Sequence, residues 1–144
     1  MLTELADGKG GAIETSGTAM IYNSTFNKCT ALFDGGAIWA ANSSNTSIWG
    51  SNFINNAALG DGGAIYSEGL LYVANSTFSA NEANTGNANV GGSAKVTGCG
   101  NTGIPSISCS AQQGNATTSA APLNVKFTTR GVAMLALISG FCLL

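Results

Sequence analysis

The sequence predicts an all-β fold, a parallel β-solenoid of three to four coils, with a disordered linker and a short hydrophobic C-terminal tail behind it. Three observations carry that expectation. The phrase Gly-Gly-Ala-Ile is written three times, starting at Gly10, Gly35 and Gly62. A second landmark follows each copy, because Phe26, Phe53 and Phe78 stand 16, 18 and 16 residues after the first glycine. The composition supplies the third: 20 of 144 residues are Gly, 44% are hydrophobic and only 8% are charged. Gly and Asn accept positive φ at little cost, so such a chain suits short strands joined by tight corners rather than long helices.

Taken in order, the coils start at Lys9, Asp34 and Asp61, 25 and 27 residues apart, and a decayed fourth copy starts at Gly91 in "GGSAKV". The middle coil carries two extra residues, assigned to the loop Asn42–Asn45. Ile13, Ile38 and Ile65 share one position, Ile21, Ile48 and Val73 a second, and the three Phe a third. A coil with so few apolar side chains buries no core alone. Stacking coils at about 4.8 Å sets like on like and makes one continuous core. Asn56 and Asn81 are expected to form a short ladder at a corner, where Asn tolerates the left-handed conformation. The repeats span 8–96. Residues 97–110 follow as a loop that a disulfide between Cys99 and Cys109 would close, with Cys29 left as a buried thiol.

The paired motifs "GGAI" and "F-x-x-N" (Phe53–Asn56 and Phe78–Asn81, with Cys29 in the Asn place of the first coil) resemble the repeat of the chlamydial polymorphic outer-membrane proteins. The resemblance covers roughly residues 8–96. It implies a right-handed parallel β-helix, of the pectin lyase-like kind, that serves as the exposed passenger of a surface protein, often an adhesin. The large autotransporter barrel of the bacterial members has no counterpart here.

The two ends complete the reading. "MLTELADGKGG" has neither the basic nor the apolar region of a signal peptide and no capping element, so the chain is expected to continue upstream as a longer polypeptide. Residues 111–130 read as a flexible linker rich in Ser, Thr and Ala. The uncharged run 131–144 is shorter than the 20 or so residues that span a bilayer. Small residues Ser119, Ala120 and Ala121, a polar spacer and an apolar tail together follow the grammar of a GPI-anchor signal, with Ser119 as the attachment point. A short anchor helix, or a buried terminal strand or helix, is the alternative reading of the same run. Five N-x-S/T sequons occur, at Asn23, Asn42, Asn45, Asn75 and Asn115, where about three are expected by chance from 15 Asn and 29 Ser or Thr. Asn42, Asn45 and Asn115, expected in loops, are the better glycosylation sites.

The chemistry of the chain argues against catalysis. It contains no His, which excludes Ser-His and Cys-His nucleophiles and His-ligated metals. A net charge of −2 and no basic stripe speak against nucleic acid. Among seven acidic residues only Asp34 and Asp61 share a repeat position. Stacked, they could hold Ca²⁺ or act as acid and base. Asp before Gly-Gly also starts a tight turn, which is the favoured reading, with Lys9 facing Asp34 from the first coil. Trp39 and Tyr66 align next to Glu14 and, if outward, make an aromatic patch for a sugar or a partner protein. No cofactor is expected. The expected function is structural or adhesive, at the cell surface and membrane-anchored through the C-terminus, with a host or cell-surface protein or a glycan as partner. The rivals are the C-terminal part of a polysaccharide-active β-helix enzyme and an autotransporter passenger of the bacterial outer membrane.

Overall fold

A computed structural model of the chain describes residues 8–105, together with 132–136 and 139–141. The described residues form strands, turns and bends, with no helix among them. The first coil holds β1 (Ile13–Thr15), β2 (Thr18–Tyr22), β3 (Thr25–Asn27) and β4 (Thr30–Ala31). The second repeats them as β5 (Ile38–Ala40), β6 (Asn45–Trp49), β7 (Asn52–Ile54) and β8 (Ala57–Ala58). The third adds β9 (Ile65–Ser67), β10 (Leu70–Ala74), β11 (Thr77–Ser79) and β12 (Glu82–Ala83). A partial fourth contributes β13 (Val90–Gly91) and β14 (Lys95–Thr97). Each strand pairs in parallel with its counterpart in the next coil, which generates four sheets: β1-β5-β9-β13, β14-β10-β6-β2, β11-β7-β3 and β12-β8-β4. In the C-terminal run, β15 (Val132–Ala136) lies parallel on β2, with Val132 opposite Thr18, and β16 (Ser139–Phe141) lies parallel on β3.

The register confirms the repeat alignment almost everywhere. Ile38 faces Ile13 and Ile65, Ile48 faces Ile21 and Val73, and Phe53 faces Phe26 and Phe78. The offset grows from 25 at Ile13–Ile38 to 27 at Thr18–Asn45, so the two extra residues lie in the turn after Ala40, as expected. Strand periodicity does the sorting: one residue in two points inward, and the inward columns are the apolar ones. Ile21, Phe26, Ile38, Ile48, Phe53, Ile65, Leu71 and Val73 are each at most 2% exposed. The three Phe rings stack along the axis, with centroids 4.9 and 4.8 Å apart and planes 7° from parallel. Each such side chain taken out of water stabilises by about 1.5–3 kcal/mol, which a single coil has no partner to realise.

The fourth coil departs from the expected layout. Val90 stands opposite Ile65 and Gly91 opposite Tyr66, so Asn87 and Ala88, not Gly91 and Gly92, occupy the Gly-Gly place. The copy therefore starts near Gly86, five residues earlier than expected. It also runs past 96: Asn75 N–H donates to Cys99 O, Phe78 N–H to Thr102 O, and Thr102 forms a bridge with Thr77. Gly103 thus takes the place below Phe78, which ends the aromatic column.

Two glycines of the repeated phrase are needed for different reasons. Gly35 and Gly62 lie at φ 70° and 67°, and a Cβ there would strike the carbonyl of Ile38 or Ile65. Gly36 has ordinary φ, but a Cβ on it would strike Gly63 O of the next coil, so it permits close approach of the coils. Two further corner columns are left-handed, Asn23, Gly50 and Asn75 in one and Lys28, Asn55 and Ala80 in the other.

Candidate functional site

The acidic corner is built from Asp34 and Asp61, one coil apart. Asp34 Oδ1 accepts the Asp61 N–H at 2.8 Å. Asp61 Oδ1 accepts from Gly62 N–H (2.7 Å) and Asn87 N–H (2.6 Å), while its Oδ2 accepts from Gly92 N–H (2.9 Å). Asp34 therefore holds a backbone donor of the next coil, and Asp61 holds donors of its own corner and of the next coil, where an unpaired N–H would cost free energy. Among the described residues no group of three or more acidic, Cys or His side chains converges as a metal site. The corner acts as a staple, the turn role favoured from the sequence. Lys9, expected to face Asp34, sits elsewhere: its Nζ lies 4.5 Å from the centroid of the Trp39 ring.

Trp39 and Tyr66 do point outward, half-buried, between inward Ile38 and Ala40 and between Ile65 and Ser67. Tyr66 donates its hydroxyl to Glu68 Oε1 at 3.1 Å. Its pKa is raised above the ordinary value of 10.0, first by desolvation and then by the Glu68 hydrogen bond and the negative charges of Glu68, Asp34 and Asp61. The Trp39 face is occupied by the lysine and the Tyr66 hydroxyl by the glutamate, so these aromatics belong to the charged corner.

The Asn ladder forms as expected, with Asn56 and Asn81 both buried. Asn56 Nδ2 donates to Asn81 Oδ1 (3.0 Å) and Phe26 O (3.1 Å), and Asn56 Oδ1 accepts Cys29 N–H (2.9 Å). Asn81 Nδ2 repeats the pattern toward Phe53 O (3.0 Å) and Asn89 Oδ1 (2.9 Å). The left-handed residue at this corner is the one before each, Lys28, Asn55 or Ala80, rather than Asn56 or Asn81 themselves. The reason is that the ladder Asn must point its amide inward along the axis. A serine ladder missed from the sequence runs beside it: Ser24 N–H donates to Ser51 Oγ (3.2 Å), Ser51 N–H to Ser76 Oγ (3.1 Å), and Ser76 N–H to Asn101 Oδ1 (3.0 Å). Ser24, Ser51 and Ser76 directly follow the left-handed column Asn23, Gly50 and Asn75, at spacings of 27 and 25 residues that the sequence displays.

The other sequence candidates fall as follows. Cys29 is fully buried and disulfide-bonded, which corrects its reading as a buried thiol. Cys99 is half-buried in the fourth coil, and its expected partner Cys109 lies outside the described residues. Asn42 is exposed in a turn. Asn45 is exposed too, but it opens β6 between Thr18 and Leu70 instead of lying in a loop. Asn115 and Ser119 lie outside the described residues, as does the linker.

One surface feature had no place in the sequence reading. On the outer face of the sheet β14-β10-β6-β2, Tyr22 and Trp49 stack at 5.6 Å with planes 5° apart, and Tyr72 packs on Trp49 at 4.6 Å with its ring tilted by 48°. Tyr22 and Trp49 each follow an aligned core Ile by one residue, so the 27-residue offset already paired them. Tyr72 stands in a neighbouring column and is brought in only by side-chain packing. Comparison of the chain with protein-family models, curated proteins and solved structures finds no match.

Proposed function

We propose that this chain is a non-catalytic coil stack of a cell-surface protein, structural or adhesive in role. The observation that carries the reading is where the polar groups are spent. Asp34 and Asp61, the Asn56–Asn81 ladder and the Ser24–Ser51–Ser76 ladder all hold one coil to the next. An enzyme aims such groups at a substrate; here the repeated phrase maintains the stack, and the outer faces are left for recognition. The resemblance of "GGAI" and "F-x-x-N" to polymorphic outer-membrane repeats, the sequons and the layout of the tail support the same reading.

The C-terminal run has two incompatible uses. Cleavage and GPI attachment at Ser119 would remove β15 and β16 from the mature protein and leave β2 and β3 as sheet edges. Retention would keep the run on the stack. Expression of the full reading frame in a eukaryotic host tests the proposal. Surface display, release by a phosphatidylinositol-specific phospholipase and adhesion of protein-coated beads to cells are expected. Intracellular retention, or beads that adhere no better than albumin-coated ones, would overturn it.

A further inference from the structure

The charged side chains of the stack are segregated. Lys9, Glu14, Asp34, Asp61, Glu68 and Glu82 lie on or beside the sheets of β1 and β4, and Lys28 marks the corner next to them. The outward residues of β2, β6 and β10 are Thr18, Met20, Tyr22, Asn45, Ser47, Trp49, Leu70 and Tyr72, with no charge among them. Lys95 stands only at the far edge, on β14. A face built from aromatic rings, hydroxyls and an amide, with the apolar Met20 and Leu70 at its margins, has no charge to offer an ionic ligand.

From this face we infer a binding ridge for a neutral, extended β-linked glycan, with Tyr22, Trp49 and Tyr72 as its platform. The inference rests on the proposed adhesive role and names its ligand class. The rings are rigid, since each leans on the next. Tyr22 remains 39% and Trp49 36% exposed. At a centroid separation of 5.6 Å, parallel rings in van der Waals contact must be displaced sideways, like overlapping tiles, and each leaves part of its face uncovered. Those uncovered faces suit the C–H faces of a pyranose. Asn45, Ser47 and Thr18 flank the rings with the donors and acceptors that sugar hydroxyls need. The Tyr22–Trp49 step runs along the coil axis, the Trp49–Tyr72 step crosses to the neighbouring column of the next coil, and both are close to the length of one sugar in an extended β-linked chain, so successive units meet successive coils. An α-linked helical glucan does not present that straight face.

The test uses protein made in bacteria, so that no N-glycan of its own occupies the face. The chain has two Trp, and Trp39→Phe leaves Trp49 as the reporter. Titration with cellohexaose, mannohexaose or xylohexaose is expected to shift Trp49 emission to the blue in a saturable way, at millimolar ligand or below, with at least one of the three. The unmutated protein is run in parallel by native electrophoresis through gels containing glucomannan or xyloglucan. Retardation is expected there, and Trp49→Ala with Tyr72→Ala is expected to abolish it while the far-ultraviolet circular dichroism is unchanged. No emission shift with any of the three sugars and no retardation would overturn the ridge, as would retardation that survives the double variant. Beads carrying the double variant separate the two readings. Adhesion equal to that of the wild type with no glycan binding sinks the ridge and leaves the adhesive role, pointing to a protein partner on another face. Glycan binding without cell adhesion does the reverse.

Discussion

Replacing Asn56 by Ala is the sharpest test of what holds the coils together. The side chain is fully buried in the middle coil and makes three hydrogen bonds, to Asn81 Oδ1, to Phe26 O and from Cys29 N–H. Truncation leaves Asn81 Oδ1 with its second donor, the Asn56 N–H at 2.9 Å. The Cys29 N–H and the Phe26 O lose their side-chain partner in a site closed to water. Each buried group so stranded costs about 1–3 kcal/mol. The sum is about 4 kcal/mol, a large part of the roughly 5–15 kcal/mol a small domain possesses. Its neighbour Asn55 is the internal control. That side chain is exposed and left-handed (φ 55°), so Asn55→Gly removes no buried bond and is expected to change stability by less than about 1 kcal/mol. Urea unfolding followed by circular dichroism would give both values, and an Asn56→Ala variant too unstable to fold at 10–15 °C agrees with the larger one. If the two variants lost equal stability, or Asn56→Ala lost under about 1 kcal/mol, the ladder would not be what couples the coils.

Phe53→Ala removes the central ring of the three-Phe stack and is expected to cost about 3–5 kcal/mol, while Phe53→Leu, which keeps most of the volume, costs less than half of that; equal losses in thermal unfolding would mean that filled volume contributes nothing and the stacked ring carries the whole effect. Thr46 Oγ1 is buried with no hydrogen-bond partner among the described residues, so Thr46→Val is expected to stabilise by about 1 kcal/mol in urea, and a loss of stability would reveal a buried water there. The Tyr66 hydroxyl is expected to titrate above 10.0 in a difference spectrum against Tyr66→Phe, and Glu68→Gln to bring it down; no change would remove Glu68 as a cause. Because the folded-state pKa is raised, the neutral phenol's contribution to stability is complete below the unfolded value and is lost as pH rises through the folded one.

Much of this protein was written in the repeats. Glycine spacing, the Ile and Phe columns and the two-residue insertion after Ala40 fixed coil count, register and core, because in a parallel stack identical positions contact each other and sequence period becomes spatial adjacency. The turn role of Asp61 was legible too, since Asp before Gly-Gly accepts the N–H of its own corner, whereas the bond that Asp34 accepts from the next coil depends on the stack. The fourth coil was misplaced because Gly91–Gly92 imitates the turn pair while the true turn, at Asn87 and Ala88, has lost its glycines; only backbone pairing of Val90 with Ile65 reveals it. Side-chain directions were likewise beyond the one-dimensional pattern. Lys9 reaches Trp39 instead of Asp34, and Tyr72 crosses a column to meet Trp49, because long side chains choose partners diagonally as well as along the stack. The sequence by itself determined the solenoid and its core, through contacts between equivalent positions. The tertiary structure decided which face carries charge and which carries the uncovered rings, since that depends on where corners turn and on packing between positions that are not equivalent.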